Sequence, residues 1–196
     1  MARPRHYDHD ELRVTTIGAA RKLLEEGGPA ALTARALARA VGTTPGTIYN
    51  LFGNMNAVLH EVNRRTFTEL AQMIDNAPSA APRDHLLALA DGYVDFMLDR
   101  RVVWRGLFEG PRQTDTFPDW YTSLIDDLID RIAAPIAQLH PQTPARLLAE
   151  QLFLSVHGVV ALAAIERLDL ITAQDPHSLA RTAVERMLNW IETDRT

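Results

Sequence analysis

The chain has 196 residues, 46% of them hydrophobic, no cysteine and a formal net charge of −5. That length supports one large domain, or a small and a medium one, around a core that needs no disulfide staple. The missing cysteine excludes disulfide frameworks, thiol nucleophiles and cysteine-ligated metal sites, and no apolar stretch follows Met1 as a signal peptide would require, so a cytoplasmic setting is expected.

The net charge hides an asymmetry. Residues 1–65 hold nine Lys/Arg against six Asp/Glu, and residues 66–196 hold eleven against nineteen. A locally basic end is what an anionic backbone meets, whatever the sign of the whole chain. The longest nearly apolar run, 152–165, is interrupted by Ser155, His157 and Gly158. It is too short to span a bilayer, so no membrane partner is expected.

Helical spacing recurs along the chain and clean strand alternation is missing, so the predicted fold is all-α with about nine helices. The first covers about Asp8 to Glu26. Asp8 and Glu11 have capping-box spacing, Ile17, Ala20 and Leu24 form a stripe, and Gly27-Gly28-Pro29 stops the helix. A second starts behind Thr33 as N-cap, turns Leu37 and Val41 inward and ends at Gly42. A short third has Thr44 as N-cap, Pro45 at the first helical position and an end near Leu51. Asn54 caps a fourth that passes Phe67 and reaches about Asn76, before a linker with Pro78, Ser79 and Pro82. Further helices are expected over about 83–100, 102–108, 119–139 with a kink at Pro135, 144–168, and from Asp175-Pro176 to about Ile191.

Residues 33–51 carry the sharpest signal. Two short helices flank the turn Gly42-Thr43-Thr44, the length and glycine placement of a helix-turn-helix. Ala36 and Ala40 are small where the helices cross, and Leu37, Val41 and Ile48 supply the seam. Thr44, Gly46 and Thr47 are small residues at a helix N-terminus, where backbone N–H groups can approach phosphate. Tyr49 offers a hydroxyl, Asn50 an amide for a base edge or phosphate, and Arg35 a fork for guanine or phosphate. Spacing alone leaves a plain αα-corner open.

The stretch from Leu32 to Asn54, LTARALARAVGTTPGTIYNLFGN, resembles the DNA-binding segment of the tetracycline-repressor (TetR) family. The resemblance reaches back to Ala19-Ala20 and forward to Leu59. It implies an all-α homodimer with three DNA-head helices, a linking fourth helix, and a pairing of the last two helices across the dimer. It places Thr33, Arg35, Thr44, Pro45, Gly46, Thr47, Tyr49 and Asn50 at positions that commonly face DNA. Family members often carry His where this chain has Leu51 and Lys where it has Met55. The arm residues Arg3, Arg5 and His6 are expected to compensate for that loss of phosphate contacts. Residues 153–162 resemble a Trp-x-x-x-His-Gly segment of a C-terminal subfamily called WHG, with Phe153 in place of Trp.

The expected organisation is therefore a helix-turn-helix domain at 1–53, a connecting helix and linker at 54–82, and a helical-bundle ligand-binding and dimerisation domain at 83–196. Tyr93, Phe96, Met97, Trp104, Phe108, Trp120 and Phe153, with Tyr121 nearby, suggest a pocket for a small apolar or aromatic effector, with His157 as polar anchor. Taken singly, each is as readily a core residue. Asp91, Asp95 and Asp99 repeat every four residues and read as a solvated acidic face. Gly158, Ala161 and Ala164, with Val184, Met187, Leu188 and Ile191, are the expected dimer surface. There is no nucleophile elbow, P-loop, dinucleotide fingerprint or zinc-protease motif, and His6 and His9 are the closest histidine pair. No enzyme activity, cofactor or metal is expected. The predicted function is a ligand-responsive regulator, a repressor reading a palindromic operator; the alternative is a helical ligand-binding adaptor without DNA function.

Overall fold

The computed structural model describes residues 8–78, 81–108 and 117–193. The arm residues Arg3, Arg5 and His6 and most of the loop after Gly110 lie outside them. Among the described residues the regular structure is helical throughout: α1 (His9–Gly27), α2 (Ala34–Ala40), α3 (Pro45–Phe52), α4 (Met55–Asp75), α5 (Pro82–Asp99), α6 (Arg101–Phe108), α7 (Asp119–Leu139), α8 (Ala145–Ala164) and α9 (Pro176–Thr193). Two short 3-10 turns occupy Pro29–Ala31 and Leu168–Leu170.

The helix starts follow their capping residues. Thr33 Oγ1 accepts from the Ala36 N–H at 3.1 Å, Thr44 Oγ1 from Thr47 at 3.2 Å and Asn54 Oδ1 from Ala57 at 2.9 Å. Asp175 accepts both the N–H and the hydroxyl of Ser178, at 3.0 and 2.6 Å. Asp8 caps α1 through the Asp10 N–H at 3.0 Å, one position earlier than a capping box with Glu11 requires. Pro135 lies buried inside a continuous α7.

The ends of α2 and α8 share one geometry. After α2, the Thr43 N–H reaches the Ala38 carbonyl and Gly42 takes φ +70°. After α8, the Arg167 N–H reaches the Leu162 carbonyl and Glu166 takes φ 55°. Both are Schellman closures around a left-handed residue. Without a glycine at 166 no stop is visible in the sequence, so the expected helix over 144–168 overran by four residues.

Contacts group the described residues into two compact units, 8–66 with 102–108, and 67–78 with 81–101 and 117–193. The division falls inside α4 rather than in the expected linker, and α6 joins the first unit. A buried polar contact accompanies that grouping. Asn63, 3% exposed on α4, donates its amide to the Gly106 carbonyl of α6 at 3.3 Å.

The first unit is built around Ala20, Leu24, Leu37, Ala38, Ile48, Phe52, Val58 and Val62. The second packs α5, α7, α8 and α9 on one another. Among the described residues one helix, α8, is long and apolar enough by length and composition to cross a membrane, because it runs seven residues upstream of the apolar stretch visible in the sequence. Its Leu148, Leu152, Val156 and Val160 are buried within the second unit, as expected of a core helix.

Candidate nucleic-acid interface and effector site

The first unit presents α3 with one face in and one face out. Ile48 and Phe52, four residues apart, are buried at 1% and 8% exposure and hold the helix to the core. Thr44, Pro45, Gly46, Tyr49 and Asn50 are exposed, and Thr47 is half-buried. Thr33 and Arg35, at the start of α2, are exposed as well.

Two of these residues have local duties. The Thr33 and Thr44 hydroxyls cap their helices, and Thr44 also shares a 3.0 Å hydrogen bond with the Thr47 hydroxyl. Gly46 has none. A Cβ built there would meet only Thr44 Oγ1 at 3.7 Å, an ordinary contact, so the fold itself would accept alanine. Burial lowers the pKa of His60, on α4, with Glu61 partly offsetting the shift. Its ring carries no full charge at neutral pH.

One contributor has no local sequence signature. Arg13, on α1, donates from Nη1 to the Leu51 carbonyl at 3.0 Å and from Nη2 to Glu61 at 2.7 Å. Its guanidinium lies 4.6 Å from the Phe52 ring centroid. Its partners are 38 and 48 residues away in sequence.

In the second unit, Tyr93 and His157 share a 2.9 Å hydrogen bond between the phenol oxygen and Nδ1. The Phe153 ring packs beside both, at centroid distances of 5.9 and 5.3 Å. Desolvation lowers the His157 pKa, so its ring is neutral at pH 7. In that form Nδ1 can accept from the Tyr93 hydroxyl. Phe96 and Met97 are buried in the same unit, and Trp120 packs against Tyr121 at 5.6 Å. The remaining two expected pocket residues belong to the first unit, where Trp104 is buried, Phe108 is 47% exposed and their rings are 4.9 Å apart.

The second unit also has an open groove of about 400 Å³ between α4 and α5, lined by Glu69, Gln72, Met73, Gly92, Asp95, Phe96, Asp99 and Arg100. Of the expected effector residues only Phe96 reaches it. The acidic row on α5 is not simply a solvated face. Arg181 of α9 donates to both oxygens of Asp91, from Nε at 2.9 Å, and His177 meets Asp95 at 2.8 Å. Asp99 is exposed.

The expected dimer residues divide sharply. Ala164, Val184, Leu188 and Ile191 are buried within the protomer, because the stripe of α9 packs against α5 and α8. Ala161 and Met187 are half-buried. Gly158 is exposed, and a Cβ added there would have nothing within 4 Å. The apolar residues that α8 and α9 leave outward are others: Leu147, Leu154, Ile165 and Trp190, at 49, 66, 45 and 56% exposure. Residues 147, 154 and 158 fall on one face of α8, and Ile165 caps its C-terminal end.

Comparison with known proteins gives a consistent result. Residues 17–62 match the family described as bacterial regulatory proteins, tetR family. Residues 86–187 match the family described as tetracyclin repressor-like, C-terminal domain. No curated protein matches the sequence. Among solved structures, a protein of unknown function from Rhodococcus sp. RHA1 is 22% identical, with a TM-score of 0.75 over 97% of this chain and 98% of the other. The TetR family transcriptional regulator PfmR from Thermus thermophilus is 17% identical, with a TM-score of 0.63 over 89% of this chain and 97% of its own. A TetR transcriptional regulator from Rhodococcus sp. RHA1 is 16% identical, with a TM-score of 0.64 over 93% and 97%. These likenesses establish the fold.

Proposed function

The chain belongs to the tetR family of bacterial regulatory proteins, and from that premise we propose that it is a cytoplasmic repressor that binds a palindromic operator as a homodimer and is released by a small apolar or aromatic effector. Family membership makes it a DNA-binding transcriptional regulator rather than an enzyme, and sets aside an adaptor without DNA function. The operator, the effector and the sign of regulation are our reading.

The observation that carries it is the outward face of α3. Ile48 and Phe52 fix the helix, while Pro45, Gly46, Tyr49 and Asn50 stand clear of the protein. A glycine whose absent Cβ leaves ordinary space inside the chain suits close approach by something outside it. Thr33, Arg35, Thr44 and Thr47 extend the same contact set. In this reading α3 enters the major groove, with Asn50 and Arg35 toward base edges and Tyr49 toward phosphate.

Two copies pair through the outward faces of α8 and α9. Leu147, Leu154, Gly158 and Ile165 supply one side and Met187 and Trp190 the other. Pairing sets two heads on half-sites about one helical turn apart, ~34 Å. The effector contacts Tyr93, Phe153 and His157 within the second unit.

The test is binding of fluorescent duplexes enriched from a random pool. A regulator selects an inverted repeat, binds it as two protomers, and weakens steeply as salt rises. Tyr49→Ala, at a position 47% exposed, costs about 1–3 kcal/mol of binding per half-site and leaves stability within about 0.5 kcal/mol. Retained affinity in that variant overturns the assignment of α3.

A further inference from the structure

We propose that Arg13 is a positioning residue for DNA recognition, fixing the axis of α3 by tying its C-terminal end to α4. The inference rests on the reading that α3 is the helix that enters the groove.

The argument starts from what an eight-residue helix lacks. Such a helix is about 12 Å long, and its last four carbonyls have no partner within it. In α3 the Tyr49 carbonyl is taken by the Gly53 N–H at 2.7 Å, and the Leu51 carbonyl by Arg13 Nη1 at 3.0 Å. A guanidinium at this end also opposes the partial negative charge of the helix terminus.

The seam of α3 does not by itself fix the helix direction. Ile48 and Phe52 lie one turn apart and prevent the helix from rolling. With Leu51 packed against the same cluster the seam is still short, and a tilt about it would carry Gly46 and Tyr49 sideways. Arg13 restrains that tilt from three directions. One nitrogen holds the Leu51 carbonyl, the other holds Glu61 of α4 at 2.7 Å, and the plane covers the Phe52 ring at 4.6 Å. Glu61 is itself set by Arg64, whose Nε lies 3.2 Å from the second carboxylate oxygen. The direction of α3 is therefore referred to α4, so a change in α4 reaches the recognition face through this guanidinium.

Lysine preserves the charge but cannot fill the role. It has no planar fork to serve a carbonyl and a carboxylate at once while stacking on a ring. The substitution Arg13→Lys therefore separates positioning from charge, and Glu61→Ala removes the anchor while leaving Arg13 in place.

The experiment compares wild type, Arg13→Lys, Glu61→Ala and Tyr49→Ala on two duplexes, one enriched from a random pool by the wild type and one of random sequence. Anisotropy titrations run across a salt series, well below each melting temperature, with the folded fraction checked by circular dichroism. Both Arg13→Lys and Glu61→Ala should weaken the enriched duplex about tenfold, the scale of one mis-set base pair. Affinity for the random duplex and the salt slope should stay at wild-type values. Equal loss on both duplexes in either variant would mean a general weakening of the grip on DNA rather than a loss of positioning, and would overturn the proposal. So would wild-type affinity for the enriched duplex in either folded variant, or a head that folds in neither, since the role would then be structural. If Tyr49→Ala keeps full affinity, the reading of α3 itself falls; if Tyr49→Ala loses it and Arg13→Lys does not, only the present inference falls.

Discussion

The two units differ in how far their polar side chains reach. In the first, most described side-chain hydrogen bonds close within four residues, at Thr33, Thr44, Asn54, Thr15, Thr16 and Thr66. Arg13 and Asn63 reach further. In the second, polar links run between helices. Arg181 holds Asp91, His177 holds Asp95, Arg83 reaches Glu192, Arg131 pairs with Asp75, and Arg146 meets both Asp126 and Asp130 at 2.6 Å. Those carboxylates, with Glu150, hold Arg146 still more firmly in its charged form. The first unit thus sets its helix starts locally and joins its helices through apolar packing together with the Arg13 and Asn63 links. The second adds charge pairs at its joints, mostly exposed ones of small individual effect.

The sharpest way to break this comparison is to remove packing from the first unit. Leu37 is fully buried in the cluster that joins α1, α2, α3 and α4. Leu37→Ala leaves a cavity and should cost about 2–5 kcal/mol. Urea unfolding followed by circular dichroism should show an early transition belonging to the first unit, with the second unit still folded. A single late transition would mean that packing at this position does not dominate the head.

Removing a cap tests the local half of the contrast. Thr44→Ala deletes the acceptor for the Thr47 N–H and the hydroxyl pair with Thr47. The expected loss is about 0.5–2 kcal/mol, typical of an N-cap. The loss should be unchanged between low and high salt, because no ion pair is involved. A salt-dependent loss would show that the start of α3 is held by charge rather than by its cap.

The same contrast explains what could be read from the residues alone. Caps, glycine stops and the turn at Gly42 are written within a few positions of where they act, so helices 1 to 4 and the start at Asp175 were legible to within a residue or two. The outward residues of α3 were legible for the same reason, since Ile48 marks which side is in, and Phe52 one turn on proves to share it. The end of α8 was not, because a glutamate occupies the left-handed position. Apolar spacing on α9 names a buried face without naming its partner. That partner is α5 and α8 of the same protomer, so Val184, Leu188 and Ile191 are covered. Arg13, Glu61 and the Asp91–Arg181 pair had no local signal, since their partners are tens of residues away.

The smallest expected effect concerns the one described inter-helix link in the second unit that places a titratable ring among aromatics. The Tyr93 hydroxyl meets His157 Nδ1 at 2.9 Å, and burial depresses the His157 pKa below its ordinary value. In the unfolded chain histidine titrates near ~6.5. Above that pH both states are neutral at this position, and the link contributes in full. As pH falls below it, the unfolded chain takes up the proton first, so stability falls until the folded-state pKa is passed. Protonation also turns Nδ1 from an acceptor into a donor, and Tyr93 must then rotate to accept. The decline between neutral and mildly acidic pH should therefore be shallower in His157→Phe, which keeps an aromatic ring and has nothing to titrate. Urea midpoints measured across that range give the comparison directly. Identical slopes for the variant and the wild type would mean that the His157 proton does not contribute to the acid sensitivity of the fold.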